Sequence, residues 1–290
     1  MNTIREEIGI RKDKFNIERK LLVGKIDYIN ASPVYYGLDH GLVPDWIDMV
    51  EGPPAVLNAM IQNLQLDISP VSSAFYGMNY KDLLILPDLS ISCHDEVLSV
   101  VLMSDFPIEE LDGKTVVLTQ DSATSSALVR LISARKKIFP RFITKRLRAL
   151  SDVPYQAHAA MVIGDAAMTQ PWEDRFRYRM DLGKLWHDST GMPFVFALWV
   201  VRKECARKRY DEVKKALDLF YRSRRDGYCN IDRVIASGAQ RLGLKSSYVR
   251  RYFELLHCDL DSLKIKALDY FFLSLYENGL LPEKVDVTFF

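Results

Sequence analysis

The chain has no apolar run near the roughly 18 residues that a membrane-spanning helix needs. Its first residues, "MNTIREEIGIRKDKFNIERK", are charged throughout and lack the apolar core of a secretory signal. Together these absences imply a cytoplasmic protein with no membrane partner. Charge of one sign is also missing: 39 Lys and Arg stand against 38 Asp and Glu, a formal net charge of +1. That leaves no basic field for nucleic acid and no acidic tail. Cysteine is sparse. Cys93, Cys205, Cys229 and Cys258 are scattered with no CxxC, which reads as reduced thiols rather than a disulfide framework. The five histidines are scattered too, and His257 beside Cys258 lacks the spacing of a metal site. Neither GxxxxGK[ST] nor GxGxxG occurs, which argues against a nucleotide ligand. There is no GxSxG elbow for a hydrolase serine and no HExxH for zinc. No repeat of fixed period and no low-complexity segment is present.

What is present is ordinary globular material: 290 residues, 48% hydrophobic, with 14 Gly and 12 Pro. Such a length allows two domains or one large one, with a sizeable core. Residues 1–19 read as a peripheral arm, and "LLVGKI" as the opening strand. In "EGPPAVLNAMIQNLQLDIS" a loop, a helix and a strand follow one another. Pro53 and Pro54 suit a first helical turn, with Val56, Leu57, Met60, Ile61 and Leu64 as its apolar face. "LLILPDLSIS", "EVLSVVLMS" and "PFVFALWVVRK" are β-rich runs, and beyond Glu204 the pattern turns helical. Strands alternating with helices predict an α/β fold with a largely parallel sheet, the late helices packing around the first domain.

Four segments share one design: "YINASP", "SPVSSAF", "LTQDSATSSAL" and "VIGDAAM". In each, an apolar strand ends on small polar residues and a helix begins. Helix N-termini present free N–H groups and partial positive charge, which suits carboxylates or phosphates. Ser and Thr there also cap helices without binding anything, so one such turn decides nothing. Four of them point to an anion-binding cleft, with Ser72, Ser73, Thr124, Ser125, Gly164 and Asp165 as candidate ligand-holding residues. Asp165 suits a general base or a turn former, and His187 an acid–base group or a loop histidine. Ser99 is a lone polar residue in the apolar "EVLSVVLM", where a buried hydroxyl needs a partner. Asn30 stands at the C-terminal end of a strand, where ligands sit in α/β folds.

In order along the chain come "VGKIDYINASPVYYGL", "LDISPVSSAFYGMN", "LLILPDLSISC…EVLSVVLMS", "ELDGKTVVLTQDSATSSALVRLI", "MVIGDAAM" and "TGMPFVFALWVVRK". This ordered set resembles the chorismate dehydratase family of the futalosine route to menaquinone. The resemblance runs from about Leu21 to the C-terminus and includes "LGLKSSYVRRYFELL" and "GLLPE". The related 1,4-dihydroxy-6-naphthoate synthase would carry an SPCPNDT-like segment where this chain has "DYINASP". The resemblance implies a type II periplasmic-binding-protein-like fold, two α/β lobes joined by two hinge strands with the ligand between them. Lobe one would hold residues 20–103 and 199–290, and lobe two residues 104–198. The hinge strands would be "SVVLMS" and "FALWVV".

The activity so implied converts chorismate to 3-[(1-carboxyvinyl)oxy]benzoate and water. Asn30 and Ser99 would be the catalytic pair, and the four turns would hold the substrate. Aromatisation drives the reaction, so no metal or redox cofactor is expected. The chain departs from the family pattern at Asp27, where a small polar residue is common, in its arm, and in "SCHDEVLSV", where a Gly-Pro-like turn is usual. Two other classes fit the fold or its parts. A solute receptor would need a secretory signal. A regulator would need "LKSSYVRRYFELL" to read DNA, but Arg250 and Arg251 there read as an exposed helical face. Oligomeric state is left open.

Overall fold

Runs of β-branched and large apolar residues make the strands, because such side chains fill a pleated surface covered on both sides. The computed structural model describes residues 19–290; apart from Arg19, the arm expected over residues 1–19 lies outside the described residues. Among these, the strands in chain order are β1 (Leu21–Ile26), β2 (Ile47–Gly52), β3 (Ile68–Ser72), β4 (Leu83–Cys93), β5 (Val100–Ser104), β6 (Thr115–Thr119), β7 (Arg141–Lys145), β8 (Ala159–Ile163), β9 (Tyr178–Asp181), β10 (Phe194–Arg202) and β11 (Leu256–His257). Strands β3, β5, β6 and β8 are buried at every position.

Two sheets result. The first runs β11-β4-β10-β3-β1-β2 and the second β7-β6-β8-β5-β9. The expectation of largely parallel sheets is corrected here. The pairs β1–β2, β1–β3, β6–β7 and β6–β8 are parallel. The pairs of β10 with β3 and β4, of β11 with β4, and of β5 with β8 and β9 are antiparallel. Parallel neighbours need a crossover connection. Strands β5 and β10 instead arrive from the other sheet and insert in the opposite direction.

Strand β5 pairs wholly in the second sheet, with Val100 against Ile163. Strand β10 pairs wholly in the first sheet, with Phe194 against Cys93. The chain therefore changes sheets between β4 and β5 and again just before β10, outside the strands themselves.

Pro54 opens the helix Pro54–Gln62 at its first turn, with Pro53 as the N-cap. Its buried face is Leu57 and Ile61; Val56 and Leu64, expected on that face, are exposed. The helices Tyr210–Cys229, Ile231–Leu242 and Ser246–Leu255 follow β10. The first of these crosses helix Ser32–Gly37 so closely that a Cβ at Gly227 would stand 2.2 Å from the Pro33 carbonyl oxygen. Beneath them Trp199 Nε1 donates to the Tyr35 hydroxyl at 3.1 Å, which donates to the Gly24 carbonyl at 3.0 Å. Each such bond contributes about 0.5–1.5 kcal/mol and leaves neither the indole N–H nor the phenol without a partner. At the opposite strand ends, the buried Asp67 carboxylate takes Arg19 at 2.6 Å, Arg202 at 2.8 Å and the Leu22 N–H at 3.0 Å. A buried anion needs that pairing.

Candidate active site

The C-terminal ends of β1, β3, β6 and β8 meet at one narrow cleft between the two sheets, with a cavity of about 50 Å³. Five sequence-derived candidates line it: Asn30, Ser72, Ser99, Ser125 and Gly164. Asn30 is carried by the short 3₁₀ turn Ile29–Ala31 that follows β1. Ser72 closes β3 at the N-terminus of helix Ser73–Asn79 but makes no capping bond with its side chain. Two buried atoms here, Asn30 Oδ1 and Ser72 Oγ, have no hydrogen-bond partner in the protein. Buried polar atoms are nearly always paired, so both read as groups held for a ligand.

Helix Ala123–Arg135 supplies a hydroxyl pair. Ser122 caps it, accepting from Ser125 N at 3.1 Å and donating to Ser125 Oγ at 2.9 Å. Capping and lining are therefore both present at this turn. Ser99 Oγ is bonded to the Tyr252 hydroxyl at 3.0 Å, a side-chain partner from far along the chain. Gly164 takes φ +63° and its N–H donates to the Ser99 carbonyl at 2.7 Å. A Cβ on Gly164 would lie 2.9 Å from the Tyr28 ring across the cleft.

The other three candidates are not in the cleft lining. Thr124 is fully buried, and its Oγ1 accepts from Ala74 N at 2.8 Å, tying the second lobe to the first. Ser73 donates to the Val195 carbonyl at 2.7 Å. Asp165 Oδ1 accepts from Ile29 N at 3.3 Å, and Oδ2 pairs with Arg241 at 3.2 Å. Burial raises the Asp165 carboxyl above its ordinary range, against the opposing pull of Arg241. These residues hold the walls together instead of facing the space between them. His187 also lies outside the cleft, on helix Leu182–Thr190.

Sequence reasoning missed Tyr28, Asp121, Phe196 and Tyr252. Tyr28 and Asp121 line the cleft inside segments already singled out. Burial raises the Tyr28 phenol, and the Asp121 and Asp27 carboxylates raise it further. Asp121 is buried, with Arg148 Nε 4.0 Å from its Oδ2. Phe196 enters the cleft because the register between β10 and β4 slips between Val195 and Ala197; such an irregularity re-aims a side chain. Asp27, the residue before Tyr28, is not in the cleft lining, and its buried Oδ1 has no partner in the protein. Among the described residues no group of three or more His, Cys, Asp or Glu is placed to hold a metal ion, and no helix is long and apolar enough to cross a membrane.

The family model described as menaquinone biosynthesis matches residues 21–277. The chain belongs to that family. Within the menaquinone biosynthesis family, it is 29% identical over 247 residues to the chorismate dehydratase of Thermus thermophilus, covering 81% of this chain and 87% of that one. It is 28% identical over 203 residues to the chorismate dehydratase of Campylobacter jejuni, covering 67% and 73%. In three dimensions it is similar to the periplasmic aliphatic sulphonate binding protein SsuA from Escherichia coli, with TM-score 0.61, 15% identity and coverage of 93% and 96%. At that identity the likeness is one of fold. The fold is thus periplasmic-binding-protein-like, two α/β lobes with the cleft between them.

Proposed function

We propose that this protein is a chorismate dehydratase, converting chorismate to 3-[(1-carboxyvinyl)oxy]benzoate and water in the cytoplasm. The observation that carries the reading is the pair of unpartnered buried atoms, Asn30 Oδ1 and Ser72 Oγ, in a cleft also lined by Ser99 and Ser125. The site offers hydroxyl, amide and backbone donors, which suits a hydroxylated dicarboxylate. Family membership and the named relatives support the same reaction.

In this mechanism the C–H bond at the ether-bearing ring carbon breaks and its electron pair forms the new ring double bond. The neighbouring C–O bond breaks, and the departing hydroxyl leaves with the proton as water. Asn30 has two donors and an acceptor but is no base at neutral pH. Asp165, the sequence candidate for a base, is taken up by Ile29 and Arg241. The enolpyruvyl carboxylate of the substrate itself takes the ring proton, while Asn30 and Ser99 orient it and bind the departing hydroxyl. Ser72 and Ser125 hold the substrate; Thr124, Ser73 and Asp165 keep the lobes in register around it. We assign one lobe to β1–β4 with β10 and the helices after it, and the other to β5–β9, closing about the two crossings. Closure keeps water and competing rearrangements out.

Purified protein incubated with chorismate should release the aromatic ether, followed by absorbance and chromatography. Asn30→Ala should lower kcat roughly 10²-fold, the scale of losing one transition-state donor, with the melting point nearly unchanged. Absence of the aromatic product from wild-type protein refutes the reading.

A further inference from the structure

Ser99, expected within an apolar strand, lies in the bend just before β5 and is held by a set of bonds of its own. Its N–H donates to the Val97 carbonyl at 2.7 Å, around Leu98 at φ +60°. A three-residue turn with positive φ at a leucine is strained, and strain of this kind persists only where surrounding bonds enforce it. Those bonds are present. The Asp181 carboxylate accepts from Val97 N at 3.1 Å and Leu98 N at 2.7 Å. Gly164 N holds the Ser99 carbonyl at 2.7 Å. The last constraint is Tyr252, 1% exposed on helix Ser246–Leu255, whose hydroxyl lies 3.0 Å from Ser99 Oγ.

A serine hydroxyl has one proton and two lone pairs. A phenol is the better donor of the two groups, and burial raises the Tyr252 phenol far above its ordinary value, so it keeps its proton. When Tyr252 donates into one lone pair of Ser99, the serine proton is turned away from it. The cleft is the open direction, because Ser99 lines it. Hydrogen bonds in series also polarise one another.

We propose that Tyr252 is a positioning residue: by donating to Ser99 Oγ from the protein side, it fixes the Ser99 hydroxyl as a donor toward the departing hydroxyl of the substrate. The proposal rests on the dehydratase reading above. It assigns to the helix Ser246–Leu255, which supplies no cleft-lining residue, a part in the chemistry.

The test is a double-mutant cycle on chorismate turnover with wild type, Tyr252→Phe, Ser99→Ala and the double variant. Tyr252→Phe should lower kcat roughly 10-fold, the upper scale of one hydrogen bond, with KM within about twofold. In the Ser99→Ala background the same change should have no further effect. An unaltered kcat, or an equal loss with and without Ser99, overturns the proposal. A second measurement needs neither turnover nor the Phe variant. 3-Fluorotyrosine at position 252 should show a ¹⁹F resonance that moves on Ser99→Ala and stays on Ser72→Ala; a resonance indifferent to Ser99 overturns the proposal. Wild-type protein inactive on chorismate refutes the dehydratase reading separately, and the ¹⁹F comparison still decides the Tyr252–Ser99 bond.

Discussion

Substituting alanine for Gly164 should separate two effects that other changes mix. The first is local. Gly164 sits at φ +63°, where a residue with a Cβ is about 1–2 kcal/mol less stable. For a chain of this length, at about 2 cal/mol/K per residue of unfolding entropy, that lowers the melting point by roughly 2–3 °C. The second effect crosses the cleft. The added methyl would stand 2.9 Å from Tyr28 Cε2 and 3.0 Å from Cζ, whereas carbon atoms in good contact keep about 3.5–4.0 Å. Tyr28 belongs to the loop after β1 and Gly164 to the turn after β8, so the methyl wedges the lobes apart. Overpacking of that kind costs about 1–3 kcal/mol. On the lobe closure proposed above it falls on the closed form, so affinity for the aromatic product should drop about 5- to 150-fold. Thermal melting of unliganded protein reads the first effect, and calorimetric titration with product reads the second. In a Tyr28→Ala background the affinity penalty should shrink while the melting penalty stays. A lower melting point with unchanged product affinity would refute the wedge, and with it the claim that ligand is held in the closed arrangement.

Ser72→Ala removes a buried hydroxyl without a partner, so the melting point should hold or rise slightly while KM for chorismate increases. On the proposed mechanism, in which the substrate carboxylate is the base, Asp121→Asn should keep turnover; loss of kcat with normal KM would move that role to Asp121. Asp165→Asn should also keep turnover, and its effect on stability has a defined sign. The folded pKa of Asp165 is raised above its unfolded value, so the folded protein binds the extra proton between the two values. Stability from this group is greatest below the unfolded pKa and declines as pH rises through the folded one. The melting point of Asp165→Asn relative to wild type should therefore improve as pH rises above the ordinary carboxylate range; a constant difference would contradict the assignment.

The strand–turn–helix units were legible because their signals are local. An apolar run, small polar residues and a helical pattern lie within a dozen positions in "LTQDSATSSAL" and in "VIGDAAM". The cleft position of Asn30, Ser72, Ser125 and Gly164 followed from that. Which way each hydroxyl turns did not. Thr124 and Ser125 are neighbours on one helix turn, yet Thr124 meets Ala74 of the other lobe and Ser125 faces the cleft. That difference depends on how the lobes meet. Tyr252 was invisible for the same reason: within "YVRRYFELL" it is one more apolar position of a helix, and its partner Ser99 is 153 residues away. The reversed strands went unseen because strand direction depends on the route by which the chain enters a sheet, and a β-rich run reads alike both ways.

That route has a consequence for how the molecule is made. Strand β10 lies between β3 and β4 in the first sheet, although β3 and β4 leave the ribosome long before it. Until residue 202 is available, β4 has no neighbour among the strands already synthesised. The second sheet has no such debt, since β5–β9 are contiguous in the chain. The inserted lobe can therefore complete its sheet first, burying Trp172, while the earlier half of the outer lobe waits with open strand edges. Pairing Ala197 with Ser72 closes a separation of roughly 125 residues, the kind of long-range contact that forms late and leaves edges exposed to other chains meanwhile. Trp199, on that last strand, is buried only when the two ends of the outer lobe have found each other.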